Sequence, residues 1–285
     1  MGQPLIAITG ATGYLGSRIA RQLSAGGWAT RLITRDPSRA PRLAGSHAAQ
    51  ATYEDTAAMT AALQGVDRLF FVSSNALAGR QEAHRSVIDA CAAAGTSRVV
   101  YTSFLGAGPD AVFTLSQDHY QTERYLAAKG VPYVALRNSF YAEVVEEMVQ
   151  DGVIRGPGGE GRLAPVARDD VVDAAVGALT AQQLALGPLD VTGPAALSLA
   201  DIAQIYARVS GKPAVYREET LQEAIASRAK FDVSEAARAA WVSTYQAIAV
   251  GELSAVSDTV QRLAGHPPLD FETFLRRRAA ARSGH

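Results

Sequence analysis

The fold follows from one stretch near the start of the chain, Pro4-Leu-Ile-Ala-Ile-Thr-Gly-Ala-Thr-Gly-Tyr-Leu-Gly16. Residues 5–8 form an apolar run, which is typical of a parallel strand buried on both faces. Beyond the glycines, Leu15, Ile19 and Leu23 recur with the period of a helix. A glycine turn between a buried strand and a helix indicates a dinucleotide-binding site.

The glycines of this turn have separate stereochemical tasks. Gly10 permits the tight turn, Gly13 lets the backbone approach a pyrophosphate, and Gly16 lets the helix pack against its strand. The free N–H groups and the positive end of the helix then face the phosphates. An ordinary glycine-rich turn in a βα unit is the alternative. We predict that the cofactor is bound by Gly10, Ala11, Thr12, Gly13, Tyr14, Leu15 and Gly16.

Arginines follow the second predicted strand, which covers residues 28–34. An NAD-preferring site usually carries Asp or Glu at this junction, because a carboxylate accepts hydrogen bonds from the ribose 2′-hydroxyl. This chain has Arg35 instead, with Asp36 next to it and Arg39 one turn further on. A guanidinium suits a 2′-phosphate, which it binds with paired hydrogen bonds. The junction therefore favours NADP(H), with a pair of solvated surface arginines as the alternative.

The composition is that of a globular protein. Of 285 residues, 48% are hydrophobic and 19% are charged, and the formal net charge is −1. This balance gives no reason to expect nucleic acid or an anionic membrane as a partner. We find no leader-like segment and no apolar run as long as a membrane span, so a cytoplasmic protein is expected. The single Cys91 lies in an apolar helical pattern that favours a core position.

Strand and helix patterns alternate as far as residue 138, and beyond it helices dominate. This alternation predicts an α/β fold with a doubly wound parallel sheet, a Rossmann fold, which binds ligands at the carboxyl ends of its strands. We predict a dinucleotide-binding domain over residues 1–138, completed by 165–195. A smaller, mostly helical substrate lobe is predicted over 139–164 and 196–285.

Two details of the second half complete the expected architecture. A helix over residues 171–179 is expected to be capped by Asp169 or Asp170. The basic tail, Arg276-Arg277-Arg278 through His285, is expected to be a frayed, solvated terminus.

The helix predicted over residues 116–129 carries the candidate acid–base groups. His119 and Glu123 lie one turn apart near its ligand-facing start. His119 is placed either to donate a proton as hydride arrives, or only to cap the helix or contact the nicotinamide ribose. Tyr125-Leu-Ala-Ala-Lys129 matches the Tyr-x-x-x-Lys pair of short-chain dehydrogenases, but it lies at the opposite end of the helix. We therefore assign that pair no catalytic role.

Other polar and aromatic residues end strands at the same predicted edge. Candidate cofactor contacts are Ser73, Ser74, Asn75, Ser103 and Asn138. Phe104, Phe140 and Tyr141 offer a flat wall for a planar acceptor, and Tyr141 joins His119 as a candidate catalytic residue. No pair among His47, His84, His119, His266 and His285 has a metal-ligand spacing, so no metal is expected.

The chain resembles the NmrA-like atypical short-chain dehydrogenases over most of its length. The resemblance rests on residues 8–16 together with Arg35-Asp-Pro37, Tyr101-Thr-Ser103, His119-x-x-Thr-Glu123 and Leu136-Arg-Asn138 with Tyr141. It implies a Rossmann domain, a smaller substrate lobe, and NADPH held by the glycine loop and the arginine after the second strand. It also implies direct hydride transfer with little acid–base help, as in the quinone reductase branch. Two departures concern the adenine and acceptor contacts: Thr52 replaces an Asp and Phe140 replaces a Trp.

We therefore predict an NADPH-dependent oxidoreductase that transfers hydride to a quinone or a similar planar, conjugated acceptor. Its partner is then that small molecule. Two alternatives stay open: a non-enzymatic NADP(H)-binding redox sensor of the NmrA type, and a tailoring ketoreductase or dehydratase of aromatic secondary metabolism. A homodimer is also left open.

Overall fold

The computed structural model describes residues 3–283. Within them the strands are β1 (Ile6–Ile8), β2 (Thr30–Thr34), β3 (Ser46–Gln50), β4 (Arg68–Phe71), β5 (Arg98–Phe104), β6 (Tyr133–Asn138), β7 (Val153–Gly156), β8 (Arg162–Leu163), β9 (Gly187–Val191), β10 (Leu197–Ser198) and β11 (Val215–Glu218). The helices are α1 (Tyr14–Ala25), α2 (Thr56–Leu63), α3 (Arg80–Ala94), α4 (Thr114–Ala128), α5 (Ala142–Glu147), α6 (Arg168–Thr180), α7 (Leu199–Ser210), α8 (Leu221–Arg228), α9 (Glu235–Ala249), α10 (Thr259–Ala264) and α11 (Phe271–Ser283).

The first of two compact units comprises the chain up to Ser103 together with residues 118–137 and 171–189. It carries a seven-stranded sheet in the order β3-β2-β1-β4-β5-β6-β9. The pairs β2–β3, β1–β2, β1–β4 and β4–β5 are parallel. Their carboxyl ends therefore share one edge of the sheet. The predicted doubly wound α/β sheet is confirmed.

Apolar side chains hold this sheet to its helices. On one face Met59 of α2, Val87 and Cys91 of α3 and Leu126 of α4 pack on the strands. Cys91 is a core residue, as predicted, and burial raises the pKa of its thiol to about 12. In α1, Ile19 is one of the side chains that are fully buried. Such burial contributes about 1.5–3 kcal/mol for each large aliphatic side chain.

Two arginines at the starts of strands donate hydrogen bonds to carbonyls at the carboxyl end of α6 within this unit. Arg68 donates to the carbonyl of Leu179, and Arg98 donates to the carbonyls of Ala178 and Ala181 at 3.1 and 2.7 Å. The last carbonyls of a helix lack intrahelical partners and carry its negative end, so cations stabilise them. These contacts attach α6 to the starts of β4 and β5.

The second unit comprises residues 104–117, 138–170 and the chain from Asp190 on. Its small sheets pair β10 with β8 and β11 with β7. Its core joins Leu105, Ile154, Leu199, Tyr245 and Phe274 in one cluster. The unit is mostly helical, as predicted, but it also includes residues 104–117. Its identity as a substrate lobe stays a prediction.

Two expectations for the second half are wrong. The helix α6 starts at Arg168, so Asp169 and Asp170 lie in its first turn rather than before it. There Asp170 accepts a hydrogen bond from the backbone N–H of Leu269 at 2.8 Å. The basic tail is not frayed, because α11 continues through it and Arg278 forms an ion pair with the buried Glu146 at 2.6 Å. His285 lies outside the described residues.

Candidate functional site

The glycine turn has the stereochemistry expected of a phosphate-binding loop. Gly10 has a φ of +60°, and the N–H of Gly13 donates to its carbonyl at 2.9 Å. A Cβ at Gly16 would lie 2.3 Å from the Gly10 carbonyl oxygen, so only glycine fits there. Gly16 thus packs closely against the backbone of the turn at Gly10 and Ala11. Gly13 precedes α1 and supplies no capping side chain, and the first turn has no acidic residue, so the positive helix end is uncompensated.

Among the described residues, the arginine junction presents two exposed cations, Arg35 and Arg39, whose side chains make no hydrogen bond or ion pair. Hydrogen bonds from the hydroxyl and N–H of Ser38, at 2.7 and 3.0 Å, lower the pKa of Asp36 and occupy one of its oxygens. The carbonyl of Arg35 accepts from the Gln50 amide at 3.1 Å, which fixes the backbone there. Within residues 3–283 the exposed Arg35 guanidinium makes no hydrogen bond or ion pair. It is therefore available to an anionic ligand.

The turn after β4, residues 73–75, is held by two buried side chains. The N–H of Ser73 donates to the Thr102 hydroxyl at 2.7 Å, and the N–H of Ser74 donates to Nε2 of His84 at 2.9 Å. The Ser74 hydroxyl accepts from the N–H of Ala76 at 3.1 Å. The backbone of this predicted cofactor contact is thereby fixed, and Asn75 is exposed at its end.

His119 is buried at the centre of a hydrogen-bonded cluster. Nη2 of Arg80 lies 2.9 Å from its Nε2, and the Tyr101 hydroxyl lies 2.9 Å from its Nδ1. An arginine can only donate, so Nε2 accepts and the ring proton sits on Nδ1, from which it is donated to Tyr101. Burial, followed by the charge of Arg80, holds the pKa of His119 well below its ordinary value. The imidazole is therefore neutral, with both nitrogens engaged.

This arrangement bears on the two roles that the sequence left open for His119. A neutral imidazole whose only proton is already donated to a protein oxygen is a poor general acid. The geometry favours positioning over proton donation, and a catalytic role for His119 stays a prediction.

Ser103 and Glu123 belong to a second buried group in the same unit. The Ser103 hydroxyl donates to Glu123 at 2.5 Å, and Arg137 donates to both carboxylate oxygens of Glu123 at 2.9 and 2.6 Å. Glu123 is only 3% exposed, and the guanidinium of Arg137 balances its buried charge. Because the Ser103 hydroxyl donates its hydrogen to Glu123, it can only accept a hydrogen bond from a ligand. Its contact with the cofactor stays a prediction.

Tyr125 and Lys129, which match the Tyr-x-x-x-Lys pattern, both contact a carboxylate on a neighbouring helix. Lys129 follows the last residue of α4 and forms an ion pair with Asp89 of α3 at 2.7 Å, and the Tyr125 hydroxyl donates to the same carboxylate at 3.0 Å. Lys129 is 40% exposed. The pair therefore links α3 and α4, and its lack of a catalytic role stays a prediction.

In the second unit the predicted contact residues divide into aromatic and polar groups. Phe104 and Phe140 pack edge to face with ring centroids 4.9 Å apart, and Phe113 completes the aromatic cluster. Asn138 is 2% exposed, yet neither atom of its amide makes a hydrogen bond of ordinary geometry within the described chain. Burial raises the pKa of Tyr141 to about 12, against the opposing influence of the Arg168 charge. Its hydroxyl is therefore protonated at neutral pH.

The second unit also contains a cavity of about 410 Å³. Its aromatic lining residues are Phe140, Phe231, Trp241 and Tyr245. Arg228 in its wall lies 5.1 Å from the ring centres of both Trp241 and Tyr245. The Arg228 side chain is only 5% exposed and forms an ion pair with Glu219 at 2.9 Å. A concave, aromatic-lined space of this size suits a small planar ligand.

Sequence reasoning missed Arg80, His84 and Arg228. All three are polar residues on buried helix faces: Arg80 and His84 lie one turn apart on α3, beside the core residues Ala83 and Val87. A polar pair at helical spacing within an apolar stripe was the signal that could have found the first two. Nothing local marks Arg228, because its partners come from β7, α9 and the segment after β11.

None of the helices within residues 3–283 combines the length and apolar character that a membrane span requires. The expectation of no bound metal stays a prediction, and His285 falls beyond the part of the chain that the structure covers.

Comparison with known proteins places these features in a family. The family described as NAD(P)H-binding matches residues 10–182, a segment that begins at the first glycine of the turn. The chain belongs to this NAD(P)H-binding family. Quinone oxidoreductase 2 of Escherichia coli (strain K12) is 32% identical over 92% of this chain and 94% of its own length. The NAD(P)H azoreductase of Xenophilus azovorans is 27% identical over 97% and 99%.

Solved structures extend the likeness to three dimensions. The E. coli NADPH-dependent quinone oxidoreductase complexed with NADPH matches with a TM-score of 0.87 at 31% identity, covering 96% of this chain and 99% of that one. The Citrobacter sp. triphenylmethane reductase complexed with NADP(H) matches at 0.83 and 26%, with 96% and 99% covered. The predictions of an NmrA-like reductase fold, an NAD(P)H-dependent oxidoreductase and an NADP(H) cofactor are confirmed at the level of the family.

Proposed function

We propose that this protein uses NADPH to reduce a quinone or a similar planar, conjugated acceptor. The observation that carries the proposal is the state of His119, whose two ring nitrogens are engaged by Arg80 and Tyr101. Reduction of an ordinary ketone needs a proton donor at the developing alkoxide. An electron-poor quinone accepts hydride without one, and water can supply the proton afterwards.

The residues of the first unit fit the cofactor. The turn around Gly10, Gly13 and Gly16 has no room for a side chain at Gly16, and the uncompensated helix end beside it suits a diphosphate. Arg35 offers a free guanidinium to a 2′-phosphate.

The protein's own contribution is binding, orientation and exclusion of water. Bound NADPH supplies hydride, so that the quinone gains two electrons and one proton, and a second proton from water completes the hydroquinone. The chain supplies hydrogen-bond donors, hydrogen-bond acceptors and apolar walls that orient the cofactor and the acceptor. The Tyr141 phenol stays protonated, and so it offers a hydrogen-bond donor rather than a base.

The acceptor is proposed to bind in the aromatic cavity of the second unit. Phe140 lines it, as do Trp241 and Tyr245, and flat rings of this kind stack on planar conjugated ligands. The names of the relatives mention quinone, azo and triphenylmethane reduction, and acceptors of these kinds are aromatic or quinonoid and conjugated. A small-molecule partner, cytoplasmic location and homodimer assembly stay predictions.

Turnover is tested by following nicotinamide absorbance with purified protein, NADPH or NADH, and a panel of quinones. We expect NADPH to be preferred. Replacing Arg35 with Gln is expected to lower kcat/KM for NADPH by about 10–100-fold, the value of a charge-assisted pair, with little change for NADH. Arg21→Gln, at an exposed position on α1, serves as the matched control. No oxidation above the uncatalysed rate across the panel would refute the proposal.

Acceptor binding is tested separately by tryptophan fluorescence, because the chain has only Trp28 and Trp241. In Trp28→Phe the remaining reporter lies in the cavity wall, so a quinone is expected to quench it saturably. In Trp241→Phe only the linear, collisional quenching of Trp28 is expected. Saturable quenching in the second variant and not the first would place the acceptor elsewhere. NADPH binding without turnover would instead favour the sensor alternative.

A further inference from the structure

We propose that His84 is a positioning residue for NADPH binding, acting through the backbone of the turn at residues 73–75. The inference rests on the proposed function, since that turn is taken as part of the cofactor site. It assigns a role to a buried histidine that the hydride transfer itself does not use.

His84 forms a bridge with a defined direction. The N–H of Ser74 donates to its Nε2 at 2.9 Å, and its Nδ1 lies 2.9 Å from the hydroxyl of Thr122. A backbone N–H can only donate, so Nε2 is an acceptor and the ring proton lies on Nδ1. The Thr122 hydroxyl accepts a hydrogen bond from that N–H and donates one to the carbonyl of Asp118 at 3.0 Å. The turn is therefore connected through α3 to α4 by hydrogen bonds of fixed polarity.

The ring of His84 has no freedom to leave this position. It is fully buried, and it packs edge to face on Phe71 at 5.1 Å and on Tyr101 at 5.8 Å between ring centres. Burial and the nearby charge of Arg80 lower its pKa to about 3, so the imidazole is neutral and Nε2 keeps its lone pair. Protonation would convert that acceptor into a donor and break the bond to Ser74.

The turn gains a fixed orientation from two inward bonds. The N–H of Ser73 is held by Thr102 of β5 as the N–H of Ser74 is held by His84. Both amides of the turn therefore donate to the protein interior. The Ser73 hydroxyl has no hydrogen-bond partner within residues 3–283, so it is available to a ligand. Without the His84 acceptor, Ser74 would have a partly buried N–H without a partner, and the turn would have to move to satisfy it.

The test uses two substitutions at position 84 in the full-length protein. His84→Phe keeps an aromatic ring against Phe71 but removes the acceptor, whereas His84→Gln can place its carbonyl oxygen where Nε2 was. We expect His84→Phe to raise the Kd and KM for NADPH about 10-fold, the order expected for one lost hydrogen bond, with kcat changed less than about twofold. His84→Gln is expected to restore most of the affinity. Amide hydrogen exchange at Ser74 is expected to accelerate in His84→Phe and not in His84→Gln.

The outcomes are separable. Faster exchange at Ser74 with unchanged NADPH affinity would overturn the inference, as would equal behaviour of the two variants. If His84→Phe does not fold, Thr122→Val replaces it, because it removes the acceptor at Nδ1 while leaving the ring, and an unchanged KM for NADPH would then overturn the inference. A wild-type protein that binds NADPH but reduces no quinone would refute the proposed function and leave this test intact. A wild-type protein that binds no NADPH would refute both.

Discussion

Alanine substitutions at two glycines of the first turn are expected to have different consequences. At Gly16 a Cβ would lie 2.3 Å from the Gly10 carbonyl oxygen and 2.7 Å from its carbon. At Gly13 the corresponding contact with the same oxygen is 3.3 Å. The two residues belong to one turn, so a comparison between them separates the packing of α1 from the approach of a ligand.

The expected loss of stability and affinity in Gly16→Ala follows from the space that the new Cβ lacks. Cβ atoms essentially never come closer than 3.0 Å to such an atom, so Gly16→Ala forces a displacement of at least 3.0 − 2.3 = 0.7 Å between α1 and the turn. Overpacking of this kind costs about 1–3 kcal/mol, offset by up to about 1 kcal/mol because alanine favours a helix. A misplacement approaching 1 Å in a binding site costs about 100-fold in function. Gly13→Ala needs only a few tenths of an ångström, and its stability cost is about 0.5–1 kcal/mol for the altered N-cap.

The assay combines thermal melting with NADPH titration by fluorescence. Gly16→Ala is expected to lose both Tm and about 100-fold in NADPH affinity, while Gly13→Ala keeps nearly all of its Tm but still loses affinity. Gly27→Ala is the control, because its φ of +77° makes alanine strained although no atom lies within 4 Å of the new Cβ. It is expected to lose stability without losing affinity. Wild-type affinity in Gly16→Ala would refute the assignment of this turn to the cofactor.

Further predictions concern buried ionisable groups. The unfolded imidazole of His84 binds a proton near pH 6.5 but the folded one only near 3; stability therefore falls as pH drops below about 6.5, by up to about 1.4 kcal/mol per pH unit, and His84→Gln is expected to lessen that slope in urea unfolding at pH 5–6. Glu219→Gln leaves the Arg228 charge buried and is expected to cost about 3–5 kcal/mol in urea unfolding, whereas replacing both residues by Gln and Met is expected to recover most of it. His119→Gln is expected to lower kcat with quinones by less than about 10-fold, and a loss of 100-fold or more would show proton transfer there. Tyr141→Phe, which removes a donor but no base, is expected to leave the pH profile of kcat unchanged.

Local periodicity was enough to predict much of the fold. The strand predicted over residues 28–34 is observed as Thr30–Thr34, and the helix predicted over 116–129 is observed as Thr114–Ala128. Boundaries were less accurate where distant residues decide them. The helix predicted over residues 171–179 begins three residues earlier, at Arg168. The ordered tail depends on an ion pair between Arg278 and Glu146, which no local pattern reveals.

The candidate site was predictable only where one segment defines it. The glycine turn and Arg35 could be read directly, because spacing along the chain fixes their stereochemistry. The state of His119 could not, since it depends on Arg80 from another helix and Tyr101 from a strand. Likewise the cavity wall around Arg228 requires side chains from several elements. Tertiary contacts set the protonation of these groups, and their residue types alone do not.

The discontinuous division of the chain has a consequence for engineering. The polypeptide passes from one unit to the other five times, after residues 103, 117, 137, 170 and 189. The first unit cannot be complete on the ribosome until the chain beyond residue 189 has emerged. No contiguous fragment contains the whole of one unit without part of the other, so exchanging acceptor preference between relatives by transplanting such a fragment would cut through a unit. Changes in what this scaffold accepts are therefore best made one side chain at a time.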